Sequence, residues 1–205
     1  DPEPGDTERP GRPPVLKIRL RDGKEREIQH MIDTSFWSPD GKPISAQEFL
    51  QNLFGVLPEF FKDEIELRRI WSDPATRKSL LAGLEKAGFS GEDLTALQKL
   101  IKAENSDLFD VLEYVSFAVQ PISREERVHA AKPAIYRGLA EAQQEFLEFV
   151  LDQYIRAGVQ ELDQDKLPDL LQLKYHSITD AAEQLGGVEE IRETFVRFQR
   201  DLYAA

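Results

Sequence analysis

The chain has 205 residues, enough for one ample domain or two small ones, with 40% hydrophobic and 31% charged residues, an ordinary globular balance. Its formal net charge of −12 repels a nucleic-acid backbone over most of the surface, so DNA contact would need a local basic patch. The absence of Cys excludes disulfides and thiolate chemistry and fits a reducing, cytoplasmic setting, and no apolar run nears the roughly 20 residues that span a bilayer.

The opening "DPEPGDTERPGRPP" (1–14) is rich in proline and nearly free of apolar side chains. It reads as an extended linker ahead of the first folded element, cut from a longer polypeptide. In "VLKIRLRDGKEREIQHMI" (15–32), Leu16, Ile18 and Leu20 alternate with Val15, Lys17 and Arg19, and Asp22-Gly23 is a hairpin turn signal. Charge selects the register. A two-residue loop would set Arg19 opposite Arg26. A three-residue loop ending on a left-handed Gly23 sets Arg19 opposite Glu25, Lys17 opposite Glu27 and Leu16 opposite Ile28, which is the favourable arrangement.

Residues 33–205 read as helices that form one compact unit with the hairpin. Ser45 to Glu48 is a capping box, with Ile44 and Phe49 at staple positions and Gly55 past the end. A second helix is expected from near Pro58, carrying Phe61, Ile65 and Ile70. Asp73-Pro74 starts another, with Leu80, Leu81 and Leu84 inside and Gly88 beyond its end. Ser90 caps a helix with Leu94, Leu97 and Ile101. Asn105 or Ser106 caps "DLFDVLEYVSFAV". Ser123 to Glu126 is a second capping box, and Pro133 should kink or split that helix.

Three longer helices close the chain. The first buries Phe146, Leu147, Val150, Leu151 and Tyr154. The second is one continuous element, "LPDLLQLKYHSITDAAEQLGG", with a stripe of Leu171, Tyr175, Ile178, Ala182 and Leu185. The third carries Val188, Ile191, Phe195, Phe198 and Leu202. The expected fold is mainly α: a bundle of roughly eight helices behind a short N-terminal β-hairpin.

No phosphate-binding glycine loop and no H-E-x-x-H occur, and His30, His129 and His176 lack ligand spacing. Asp163, Asp165 and Asp169 faintly resemble a calcium loop but lack its turn glycine; Asp165 or a neighbour is expected to cap the helix near Pro168. Asp22-Gly23-Lys24 and Asp40-Gly41-Lys42 match the D-x-K of metal-dependent nucleases by letter, but both read as turns. No catalytic, cofactor-binding or metal residue is assigned.

Two sets of candidate binding residues remain. The hairpin cations Lys17, Arg19, Arg21, Lys24 and Arg26 could touch phosphates as a two-stranded ribbon, or form a solvated face neutralised by Glu25 and Glu27. The aromatics Phe36, Trp37, Phe60, Phe61 and Trp71 could anchor a partner around the Pro39-Asp40-Gly41 turn, or fill the core.

Four strings carry a family resemblance: "DGKEREIQHMIDTSFWSPDGKPIS", "FKDEIELRRIWSDPATRKSLLAGLEKAGFSGEDL", "AENSDLFDVLEYVSFAVQPISREERV" and "LPDLLQLKYHSITDAAEQLGGVEEIRETFVRFQRDLY". Together they resemble the C-terminal domain of the R (restriction) subunit of type I restriction enzymes, EcoEI-type. The resemblance implies a parent subunit that is a type I site-specific deoxyribonuclease and ATP-dependent DNA translocase, with ATP and Mg bound upstream and no cofactor in this domain. It also implies a non-enzymatic assembly role. The partners would be the modification and specificity subunits of the methyltransferase, the upstream motor domains of the same chain, and DNA in the full complex.

Overall fold

The computed structural model describes residues 14–30 and 35–204. The expected linker, 1–14, lies outside them except for Pro14, as do positions 31–32 of the expected hairpin. Strands β1 (Val15–Arg19) and β2 (Glu25–Gln29) pair antiparallel in the favourable register, Leu16 with Ile28, Lys17 with Glu27 and Arg19 with Glu25. Gly23 takes a φ of +78° and its N–H bonds the Leu20 carbonyl at 3.0 Å, closing the turn. Alternation then sends Ile18, Leu20 and Ile28 into the core. A second, two-residue ribbon follows: β3 (Phe36–Trp37) pairs with β4 (Pro43–Ile44) across the Pro39-Asp40-Gly41 turn.

Ten α-helices come next among the described residues: α1 (Ala46–Val56), α2 (Glu64–Trp71), α3 (Pro74–Lys86), α4 (Gly91–Leu100), α5 (Leu108–Phe117), α6 (Arg124–Tyr136), α7 (Glu141–Ala157), α8 (Leu167–Tyr175), α9 (Ile178–Leu185) and α10 (Val188–Leu202). The chain is mainly α, as expected. Side-chain caps set most starts. Ser45, Asp73, Ser90 and Ser123 each accept a first-turn N–H, and Ser123 and Glu126 complete their reciprocal box.

Several boundaries differ from expectation, each for a local reason. Helix α1 runs through Gly55 to Val56, because Leu57 stays helical and the backbone needs no left-handed stop. A 3₁₀ turn occupies Leu57–Glu59, and α2 begins only at Glu64, after the N-cap Asp63, whose side chain accepts the Glu66 N–H at 2.8 Å. That start rotates Ile65 outward, 79% exposed, and turns Leu67 and Trp71 inward. Asp107, not Asn105 or Ser106, is the N-cap of α5, its own N–H held by the Asp110 carboxylate at 2.9 Å. Pro133 does not split α6, which continues to Tyr136. Lys166, not Asp165, stands at the start of α8 and makes no side-chain cap.

The single helix expected over Leu167–Gly187 is two. His176 turns left-handed (φ +67°), and Ser177 then caps α9 by accepting the Asp180 N–H at 3.0 Å. Of the expected stripe, Leu171 and Leu185 are buried, but Ile178 is 38% exposed and Ala181, rather than Ala182, reaches the core. The other long stripes hold, except that Val188 sits at the exposed start of α10. Helix α5 packs against α1, α2 and α4; α7 packs against α6, α8 and α9; and α10 packs against α6 and α9. One continuous apolar core joins the hairpin to all ten helices.

Candidate functional site

Strand geometry divides the Phe36-Trp37 pair, since neighbouring side chains point to opposite faces. Phe36 is fully buried and stacks on Phe49 of α1, ring centroids 4.4 Å apart. Trp37, opposite Pro43, remains 52% exposed. The turn that holds it is well bonded. Ser38 N–H donates to the Lys42 carbonyl at 2.8 Å, Gly41 N–H to the Ser38 carbonyl at 2.9 Å, and the Ser38 hydroxyl to Asp40. Pro39 presses on Gly88, where an added Cβ would sit 2.5 Å from the Pro39 Cγ. Asp40 and Lys42 pair with each other at 3.4 Å, so this D-x-K is a turn.

The remaining candidate aromatics are structural in position. Phe61 is buried with its ring 6.0 Å from Phe117. Trp71 is fully buried against Phe109 and Tyr203. Phe60 is half-buried over Gly83. The five therefore do not share one surface, and Trp37 is the member presented to solvent. Phe36, Phe61 and Trp71 are consumed by the core because each falls on the inward face of its element.

The hairpin cations separate in the same way. Arg26 shares the inward face of Ile18 and is completely buried. It donates to the backbone carbonyls of Tyr114 and Val115, both at 2.8 Å, and to Asp22 at 2.6 Å. These carbonyls belong to the last turn of α5, so Arg26 caps that helix from another element and meets the negative end of its dipole. It has no free guanidinium for a phosphate. Burial disfavours the Asp22 anion, but the Arg26 and Lys24 hydrogen bonds outweigh this and hold its pKa below the usual range. Asp22-Gly23-Lys24 is thus a turn serving the Arg26 clamp. Lys17 pairs with Glu27 at 3.5 Å, while Arg19, Arg21 and Lys24 are exposed.

The interior holds a charged cluster that residue spacing left unread. Arg127 of α6 and Asp110 of α5, both 2% exposed, pair at 2.6 Å. One turn earlier, the same Asp107 oxygen accepts hydroxyls from Tyr154 of α7 (2.5 Å) and Tyr203 after α10 (2.6 Å). One turn later, Glu113 meets Arg68 of α2 at 3.4 Å. The Arg127 guanidinium lies 5.1 Å from the Phe109 ring centre and 5.0 Å from that of Tyr203, cation-π range. Burial raises the pKa of Asp107 despite the two tyrosine donors. Burial would lower that of Arg127, but Asp110 together with Tyr203, Tyr154 and Asp107 outweighs it and raises the pKa, so the guanidinium stays charged.

The signal was present: Asp107, Asp110 and Glu113 recur at i, i+3 and i+6 in an otherwise apolar helix, so they share the face that must be buried. Arginines, tyrosines and backbone N–H groups occupy Asp110, Glu113 and one oxygen of Asp107, while the other Asp107 oxygen and Arg127 Nε are buried without a hydrogen-bond partner. Elsewhere, Asp163 pairs with the buried Arg77 at 3.2 Å. Among the described residues, no group of three or more His, Asp or Glu side chains is arranged to hold a metal ion. No described helix is long and apolar enough to cross a membrane.

The molecule is thus a mainly helical module with a clamped β-hairpin, a buried charge cluster and one exposed tryptophan at the end of a short ribbon. It belongs to the EcoEI R protein C-terminal family, whose model matches residues 47–203. The chain is also similar to the type I restriction enzyme EcoAI endonuclease subunit of Escherichia coli, 27% identical over 129 residues. That match covers 62% of this chain and 15% of the subunit, so the chain corresponds to a small part of its relative. No solved structure matches it.

Proposed function

We propose that this domain is a non-catalytic assembly module, which docks an ATP-dependent translocase and nuclease subunit onto a methyltransferase core of modification and specificity subunits. The observation that carries this reading is Trp37. A tryptophan exposed at the end of a ribbon, whose neighbour Phe36 is locked in the core, is a preorganised anchor of the kind that dominates interface energetics. Family membership supports a role inside a multi-subunit restriction enzyme. ATP and Mg would act in other domains of the parent subunit.

The test is co-elution of the chain with the cognate modification and specificity subunits. Trp37→Ala is expected to weaken the complex about tenfold, as loss of an interface hot spot does. An unchanged complex would remove Trp37 from the interface, and no complex with the unaltered chain would overturn the docking role.

A further inference from the structure

A cleft of about 630 Å³ opens between the hairpin and α1. That lies within the roughly 300–1,000 Å³ of typical ligand sites. Arg19 and Arg21 line one side, and the amides of Gln51 and Asn52 line it from α1. Phe54 and Phe89 supply apolar surface, and Glu59 is the one acid among the lining residues. Neither arginine has an ion-pair partner among the described residues, although Glu25 stands opposite Arg19 in the ladder.

This cleft adjoins the tryptophan ribbon through the core. Phe89 meets Phe49 edge-on at 5.5 Å, Phe49 stacks on Phe36, and Trp37 follows in the chain. The turn of that ribbon also reaches the edge of the cleft, since Pro39 presses on Gly88, next to the lining residue Phe89.

We infer that the cleft receives an acidic segment of the docking partner, with an Asp or Glu carboxylate between Arg19 and Arg21 and an apolar side chain against Phe54 and Phe89. The inference rests on the docking role proposed above. Two arginines lining one cleft with Gln51 and Asn52 suit a planar carboxylate, which can take paired N–H donors. Gln51 and Asn52 can both donate to and accept from a peptide backbone. Duplex DNA fits less well. It presents a phosphate charge about every 1.7 Å along its axis and needs a row of cations. Here Arg26 is buried, Lys17 is paired, Glu59 lies in the cleft and the chain carries −12.

The experiment titrates the chain into the purified modification–specificity complex at low and high salt, and separately into a duplex oligonucleotide. Variants are R19Q/R21Q, which removes both charges without placing like charges opposite Glu25, and R19K/R21K, which keeps charge but loses the forks. Thermal melting checks that each variant folds. The expected result is about tenfold weaker complex formation by R19Q/R21Q and partial recovery by R19K/R21K, with the loss shrinking at high salt. If the unaltered chain binds and R19Q/R21Q binds equally well, the cleft inference fails while the docking role stands. Loss of duplex binding alone also overturns it, in favour of DNA. If the unaltered chain does not bind the complex, the docking role fails first and the cleft assignment with it.

Discussion

The Arg127 guanidinium and the Asp110 carboxylate meet at 2.6 Å with both side chains buried, which pins α6 to α5 at the centre of the molecule. Asp110 also accepts the Asp107 N–H at 2.9 Å and the Ile122 N–H at 3.3 Å, so it fixes a helix start and a loop as well. Removing one partner strands a buried charge. Arg127→Met is expected to cost about 3–5 kcal/mol in urea unfolding. Adding Asp110→Asn, which removes the charge and can keep one of the two backbone hydrogen bonds, should recover part of that loss. Strict additivity of two destabilising effects would show that the pair is not coupled.

Phe36 and Trp37 should differ sharply although they are neighbours. Phe36→Ala opens a cavity against Phe49, with an expected cost of about 3–5 kcal/mol. Trp37→Ala removes a half-exposed side chain that stands opposite Pro43 in the ribbon, at about 1 kcal/mol or less. Denaturant midpoints of the two single variants check this, and equal losses would contradict the burial assignment. The contrast also makes Trp37→Ala alone the usable probe of docking.

Arg26→Lys should loosen the hairpin selectively. Lysine keeps the charge but cannot reach the Tyr114 and Val115 carbonyls and Asp22 together as the guanidinium does. The expected loss is about 2–4 kcal/mol, from hydrogen bonds to a charged donor at about 1.5–3 kcal/mol each, partly replaced. Hydrogen exchange should show lower protection for the β1 and β2 amides, with α7 and α10 little changed. Uniform deprotection would mean that the hairpin does not open separately.

Asp107 gives a pH dependence of definite sign. Burial raises its folded pKa, so the folded state holds the proton more tightly than the unfolded chain. Its contribution is full below the unfolded value near about 4 and is lost as pH rises through the folded value. Asp107→Asn removes that loss and keeps both an acceptor for the tyrosines and a good N-cap residue. The Tm of the variant relative to the unaltered chain should therefore increase from pH 4 to pH 7. A relative decrease over that range would reverse the sign assigned to Asp107.

Residues whose message is local were legible in the sequence. The charges at Arg19 and Lys17 selected the right hairpin register against Glu25 and Glu27, because cross-strand pairing is decided within a few residues. Ser90, Asp73 and Ser123 announced their helices by short-range hydrogen bonding. The break at His176 was masked because an apolar stripe at helical spacing runs on across Ser177, whose capping role was overlooked. Arg26 was misread as a surface cation because its partners lie 88 and 89 positions away. Separations of 47 and 96 positions likewise hid Asp107 from Tyr154 and Tyr203. Phe36 and Trp37 could be told apart only once β3 had a definite face.

The Arg26 clamp also bears on where this unit can be cut. The family match begins at residue 47, after both ribbons. A chain trimmed to that start would leave the last carbonyls of α5 without Arg26 and strip Ile18, Leu20, Ile28 and Phe36 from the core. The span that the family model matches is therefore shorter than the span joined by this core. Any graft or chimera of this domain has to carry the stretch from Val15 onward to keep its helices covered.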